Sequence, residues 1–409
     1  MSTRDVASQI KYIGGLTLPE MLNTANPVWV QAAENTINLM NRRQFSENHD
    51  RKNVTICYNN MGRDMGDLGN QLFQLAFLVG MAKVNKTSFK IPNGNSPYYK
   101  EKGVKLNCFD IPEHLLHDIP LTENTVNLSE KSFNLRDETL SMFYCTAHYL
   151  GILPKNCNIN IFGFFQNYMI ADYLDDDLRK LLTFKEEHEQ RAEDFIKALK
   201  SKYKDPVAFV HVRLGDQKDD EVNHPVLTKE YYDIAFKKCL DSNPNTKFLI
   251  ISDEPEDCKK IYQGPQFIYQ NDIMEKEISG HRTEQDLKSY FSAPVDLCIM
   301  SKAETLIMAN STFSWWGAWL AKNAKIYAPI RSRWFGQALN FKPMTDFYPP
   351  RWEEIWFPEI ENAKFNKSQT YVLPVFGDDR PPVSFDELGL LKSEQEIDNF
   401  IAEQWKNNE

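Results

Sequence analysis

Residues 206–216, Pro-Val-Ala-Phe-Val-His-Val-Arg-Leu-Gly-Asp, restrict the fold more than any other stretch. From Val207 to Val212 the run stays apolar apart from His211, with none of the alternation of a half-exposed strand. A strand buried on both faces belongs in a parallel sheet covered by helices on each side. The run ends at Arg213 and a Gly215 turn. The pattern recurs in Lys247–Pro255, Thr305–Thr312 and Lys325–Pro329, with helical stretches between them at 227–240 and 286–303. Strands alternating with helices predict a doubly wound α/β unit over roughly 201–345.

An earlier stretch repeats the theme. Residues 53–59, Asn-Val-Thr-Ile-Cys-Tyr-Asn, form a short buried strand pattern followed by the loop Asn-Met-Gly-Arg-Asp-Met-Gly-Asp-Leu-Gly-Asn-Gln. From Asn70 onward Leu72, Phe73, Ala76, Phe77, Gly80, Met81 and Val84 keep helical spacing. The aromatic stretch 158–166 predicts another strand, 173–184 a helix, and 186–204 a charged helix. With 409 residues the chain has room for two domains. The expected division is an N-terminal extension 1–53, an α/β domain 54–200, a second α/β domain 201–345, and a C-terminal extension 346–409 that carries an acidic helix.

Parallel sheets bind ligands beyond the C-terminal ends of their strands. Three polar signatures fall there: His211–Asp216, Ser252–Glu254 and Asn310–Ser314. In the last, a strand feeds directly into a helix start, whose free N–H groups and positive dipole end suit a phosphate. The alternative is a helix that caps itself with Ser311 or Thr312 and buries Trp315, Trp316 and Trp319. Arg213 can clasp a diphosphate with its planar fork. The alternative there is a strand-end arginine paired with Asp216. Gly69, Asn70 and Gln71 lie on a glycine loop without the Gly-Lys-Ser/Thr of a nucleotide-binding P-loop, and a turn with an N-cap explains them equally well.

The net charge of −10 argues against nucleic acid as a partner. Seven cysteines, an odd number with no Cys-x-x-Cys, suggest neither a disulfide framework nor a zinc site. No signal peptide and no membrane-spanning run is evident, so a cytoplasmic location is expected. Asp175, Asp176 and Asp177 invite a metal reading. Three acids in the first turn of a helix are ordinary dipole complementation, and no metal is expected.

Five segments, in order, carry a resemblance. Gly-Asp-Leu-Gly-Asn-Gln-Leu-Phe-Gln-Leu-Ala-Phe, the 162–184 stretch, His-Val-Arg-Leu-Gly-Asp, Phe-Leu-Ile-Ile-Ser-Asp-Glu-Pro and Ile-Met-Ala-Asn-Ser-Thr-Phe-Ser-Trp-Trp-Gly-Ala-Trp-Leu-Ala resemble the α1,2-fucosyltransferase family of glycosyltransferases. The likeness spans about residues 54–357. Leu214 stands where that family commonly has a second arginine, and Asp67 where it has a glycine. The resemblance implies a GT-B-type fold, two Rossmann-like domains facing a cleft, with the acceptor on the first and GDP-fucose on the second. It implies inverting transfer of L-fucose to a hydroxyl of a glycan or glycoconjugate, without cofactor or essential metal; galactose is the usual acceptor sugar. Donor-binding residues would be His211, Arg213, Asp253, Asn310, Ser311, Thr312, Phe313 and Ser314, with Gly69, Asn70 and Gln71 near the sugar. Arg213 would neutralise the leaving diphosphate. Candidates for the proton acceptor are Glu221, then Asp67, with Asp216 as the motif carboxylate. A different nucleotide-sugar donor, or a sugar-binding protein without catalysis, are the competing readings.

Overall fold

The structure is a computed structural model; it describes residues 54–58, 61–62, 66–93, 103–117, 125–129, 158–220, 223–277, 290–336, 344 and 347–357. Both expected extensions up to residue 53 and beyond 357, the acidic tail helix included, lie outside the described residues.

Two sheets organise the chain, and every strand pairing in them is parallel. The first contains β1 (Thr55–Cys57), β2 (Ser88–Lys90), β3 (Thr125–Ser129) and β4 (Asn158–Phe162), in the order β2-β1-β4-β3. The second contains β5 (Val207–Val212), β6 (Lys247–Ser252), β7 (Phe267–Tyr269), β8 (Thr305–Ile307), β9 (Lys325–Pro329) and β10 (Glu353–Ile355), in the order β10-β9-β8-β5-β6-β7. The α/β class follows directly. The second sheet runs past residue 345, because β10 pairs with β9 from Glu353↔Tyr327 to Ile355↔Pro329.

The helices supply the layers. They are α1 (Leu68–Asn85), α2 (Tyr168–Tyr173), α3 (Asp175–Leu181), α4 (Glu186–Lys202), α5 (Lys229–Ser242), α6 (Pro255–Ile261), α7 (Gln270–Glu277), α8 (Ala293–Ser301) and α9 (Thr312–Leu320). The helix expected over 173–184 is α3, shorter at both ends, and a further short helix, α2, precedes it across Leu174. Leu174 lies outside the helical region at φ −103°, ψ 14° and closes α2. α4 packs on α8: Glu189 accepts from Lys302 and Cys298, and Tyr290 donates to the Arg191 carbonyl at 3.0 Å. The last helix before β5 therefore covers the second sheet. Among the described residues no helix is long and apolar enough to cross a membrane.

The core is continuous between the two sheets. Every residue of α1 from Gln71 to Ala82 is buried, as in a helix surrounded by protein. In α9 the residues Ser314 to Trp319 are buried too. The two helices pack together through Phe73, whose ring lies 4.5 Å from that of Trp315 and 5.1 Å from that of Trp316. Trp315 is fixed from the other side, its indole N–H donating to the Phe347 carbonyl at 2.9 Å. The tryptophans therefore join the two halves of the molecule rather than lining a surface. Phe73→Ala is expected to cost about 3–5 kcal/mol through the cavity it leaves between the indoles. A urea unfolding midpoint lowered accordingly checks this, and an unchanged midpoint contradicts it.

Candidate active site

In the second sheet β6 and β7 build outward on one side of β5, and β8, β9 and β10 on the other. The order of the strands reverses between β5 and β8, which are neighbours at Phe209↔Leu306 and Val210↔Ile307. Open parallel sheets bind ligands at the carboxyl ends of the strands at such a reversal. The first sheet reverses between β1 and β4.

The two reversals meet. α1 follows β1, α9 follows β8, and their first turns touch. A Cβ on Gly69 would lie 2.4 Å from the Phe313 backbone nitrogen and 2.6 Å from Thr312 Oγ1, so only glycine permits this approach. The first N–H groups of each helix have no acceptor within the helix and carry its positive dipole end. Neither preceding side chain caps them. Ser311, at φ −134° and ψ 134°, and Asp67, at φ −88° and ψ −166°, make no side-chain capping bond. The self-capping alternative for residues 310–314 is therefore not what the turn does.

Arg213 leaves the end of β5 with its fork already aimed. Its Nη1 lies 2.7 Å from Asp253 Oδ2, and its Nη2 2.7 Å from Asp216 Oδ1. Asp253 Oδ1 also accepts the Leu214 N–H at 3.1 Å, tying the turn after β5 to the end of β6. Gly215 makes this possible, since a Cβ there would lie 2.3 Å from Asp253 Oδ2. Asp216 is thus the arginine's partner, and Asp253 positions it.

The remaining expected donor residues divide by burial. Ser311, Thr312 and Phe313 are partly exposed at the mouth of the junction. Asn310 and Ser314 are buried and serve the turn itself. Asn310 Nδ2 donates to the Pro225 carbonyl at 2.7 Å and to that of Trp334 at 3.2 Å, while Ser314 Oγ accepts the Ala309 N–H at 3.0 Å. His211 is 5% exposed, its ring centroid 5.6 Å from that of Phe313, with no hydrogen-bond partner at Nδ1. Burial first, and the Arg213 charge second, lower its pKa from 6.5 to about 3. It is neutral at physiological pH and adds no second cation.

The glycine loop differs from expectation. Gln71 is fully buried and holds the loop instead of facing a sugar: it donates to the carbonyls of Gly66 at 3.3 Å and Gly103 at 3.1 Å, and accepts the Lys105 N–H at 2.7 Å. Asn70 Oδ1 accepts from Gln166 Nε2 at 2.9 Å. Asp67 is exposed beside Gly69, and Glu221 lies outside the described residues. Two residues were missed from the sequence as parts of the site. Gln166 supports Asn70. Gln217, whose Nε2 donates to the Asn310 carbonyl at 3.3 Å, binds the turn after β5 to the turn after β8. Gln166 lies inside the recognised 162–184 segment, and Gln217 directly follows the His-Val-Arg-Leu-Gly-Asp segment, which was the available signal.

Because His211 is neutral when folded, its contribution to stability is complete above pH 6.5 and is lost as pH falls from there toward 3. His211→Gln should therefore show a smaller drop in unfolding midpoint between pH 7 and 4 than the wild-type protein. Parallel midpoint curves would contradict the buried neutral imidazole.

Comparison with known proteins follows the same residues. The family model "Glycosyl transferase family 11" matches residues 38–355. An alpha-1,2-colitosyltransferase of Escherichia coli is 28% identical over 319 residues, 72% of this chain and 98% of the relative. An O-antigen biosynthesis glycosyltransferase of Escherichia coli, WbnK, is 29% identical over 114 residues, 27% of this chain and 33% of the relative. Among solved structures, POFUT1 in complex with GDP aligns with 68% of this chain and 99% of that one, at 15% identity and a TM-score of 0.37.

Proposed function

The chain belongs to glycosyltransferase family 11, and from that premise we propose that it transfers L-fucose from GDP-β-L-fucose, with inversion, to a sugar hydroxyl in α1,2 linkage on a galactose or similar hexose. The acceptor is a glycan or glycoconjugate held on the side of the first sheet, residues 54–200, and the donor is held by the second domain. The observation that carries this reading is the meeting of two uncapped helix starts at Gly69 and Thr312, on the sheet edge that carries Arg213.

The chemistry follows from charge. As the bond between fucose and the β-phosphate breaks, negative charge grows on the departing diphosphate. Fixed donors aimed at that charge lower the barrier without reorganising. Arg213 supplies a bidentate fork, and the N–H groups of α9, with the hydroxyls of Ser311 and Thr312, supply the rest. On this reading GDP draws the Arg213 fork partly away from Asp216, whose carboxylate is mostly exposed, while Asp253 keeps hold of it. No divalent cation takes part. Asp175 and Asp177 are engaged by Arg179, Lys322 and Lys83 instead.

A second donor, colitose, is favoured by the name of the relative matched over 98% of its length. A transfer assay in EDTA with a panel of nucleotide-linked sugars, GDP-fucose and a colitose nucleotide among them, separates the two. Transfer of fucose supports the proposal. Transfer of colitose alone moves the assignment to the second donor, and binding without transfer or hydrolysis identifies a sugar-binding protein. Rate lost in EDTA and restored by Mn²⁺ contradicts the metal-free step. In the same assay Arg213→Lys should lose about 10²–10³-fold in turnover, as for removal of one transition-state donor. Near-wild-type turnover in folded Arg213→Lys rejects its role.

For the proton of the acceptor hydroxyl we propose Asp67 or Glu221, since Asp216 is paired with Arg213. Asp67 is exposed, two residues before the glycine that touches Thr312. A base variant should lose transfer and keep GDP affinity. Asp67→Asn and Glu221→Gln, compared by turnover and by GDP calorimetry, identify which carboxylate is used; normal transfer in both rejects both.

A further inference from the structure

We propose that Arg179 is a positioning residue for transfer: it grips α9 at the end opposite the donor and so fixes the placement of the first half of the molecule against the second. This rests on the reading of the α9 N-terminus as the donor end. α9 has nine residues, and both of its ends are held by the first half. At the front, Gly69 abuts Thr312. At the back, Arg179 of α3 donates from Nη2 to the Trp319 carbonyl at 2.8 Å and from Nη1 to the Leu320 carbonyl at 2.9 Å. These are among the carbonyls that a helix end leaves without partners inside the helix, and that of Leu320 also accepts the Lys322 N–H at 2.9 Å. A cation there also matches the negative end of the helix dipole.

The fork is itself fixed. Asp175 Oδ1 accepts from Arg179 Nε at 2.7 Å, and the guanidinium lies 4.4 Å from the centre of the Trp319 ring. All three nitrogens of the group and one of its faces are thereby engaged. Neighbouring contacts repeat the same connection. Trp319 Nε1 donates to Asp172 Oδ1 at 2.9 Å, Arg351 holds both oxygens of Asp172 at 2.5 and 3.0 Å, and Lys322 reaches Asp175 Oδ2 at 3.0 Å. Asp172, Asp175 and Arg179 come from the first half; Trp319, Leu320, Lys322 and Arg351 come from the second. The acidic run Asp175–Asp177, left over from the donor chemistry, thus has a use. Its first carboxylate orients the arginine that crosses between halves.

The functional consequence is geometric. Donor phosphates are held by α9 and Arg213, the acceptor by the first half, and transfer needs the acceptor hydroxyl in line with the breaking bond. A misplacement of about 1 Å costs up to about 10²-fold in rate without weakening ground-state binding. Arg179 is remote from the phosphate end, so its loss should affect alignment and leave GDP binding in place.

The experiment uses Arg179→Lys, which keeps the charge but offers no planar fork to serve two carbonyls and a carboxylate together. With the full chain, turnover should fall about 10–100-fold while the GDP dissociation constant moves less than about threefold. A second variant, Arg351→Gln, at a half-exposed residue of the same connection, should show the same split to a smaller degree. Wild-type turnover in Arg179→Lys, or equal losses of turnover and GDP affinity, would overturn the inference. So would loss of native circular dichroism in both variants, which would reduce the contacts to a structural tie. A wild-type protein that binds no GDP would overturn the reading of α9, and this inference with it. GDP binding with unimpaired Arg179→Lys would overturn this inference alone.

Discussion

The contact between Gly69 and the first turn of α9 is the constraint on which the rest of the arrangement depends. Two helix starts brought together place two positive dipole ends side by side, which is unfavourable without an anion. The cost is met by packing behind the contact. Phe73, one turn into α1, sits against Trp315 and Trp316, and these bury large apolar area. The aromatic cluster thus holds an electrostatically uncomfortable geometry in readiness. An anion placed there, such as the diphosphate proposed above, would relieve that discomfort.

Arg213 shows the complementary device. A guanidinium free to swing would have to be ordered at the moment of reaction. Here Asp253 and Asp216 order it beforehand, and Gly215 lets Asp253 come close. His211, buried beside it, stays neutral, because burial and the Arg213 charge lower its pKa to about 3.

Much of this was legible in the sequence where chemistry is local. The unbroken apolar run 207–212 predicted a doubly covered parallel strand, and β5 lies centrally in the second sheet with neighbours on both sides. The helix spacing of Leu72, Phe73, Ala76 and Phe77 predicted α1. What stayed hidden depended on distant partners. Nothing in the neighbourhood of Gln71 says that its amide is consumed by Gly66, Gly103 and Lys105. Nothing near Ser314 says that its hydroxyl turns back to Ala309 instead of outward to a ligand. The break between α2 and α3 turns on a single backbone conformation at Leu174, which apolar periodicity does not encode. Nothing near Arg179, four residues after Asp175, says that its guanidinium also reaches a carbonyl 140 residues further along the chain.

That last separation bears on how the protein acquires its site during folding. Helices α1 and α9 are built from stretches at opposite ends of the described chain, and neither of their first turns is complete without the other. Contacts so far apart in sequence close late, because the entropy of the intervening loop is lost before the contact repays it. During synthesis the glycine loop and α1 emerge while the tryptophan helix is still absent, leaving Phe73 and its neighbours without their cover. Each sheet can form from its own strands, but the site is a property of the finished chain. A nascent or truncated polypeptide ending before residue 312 has the arginine and its two carboxylates, and no second helix to set against the first.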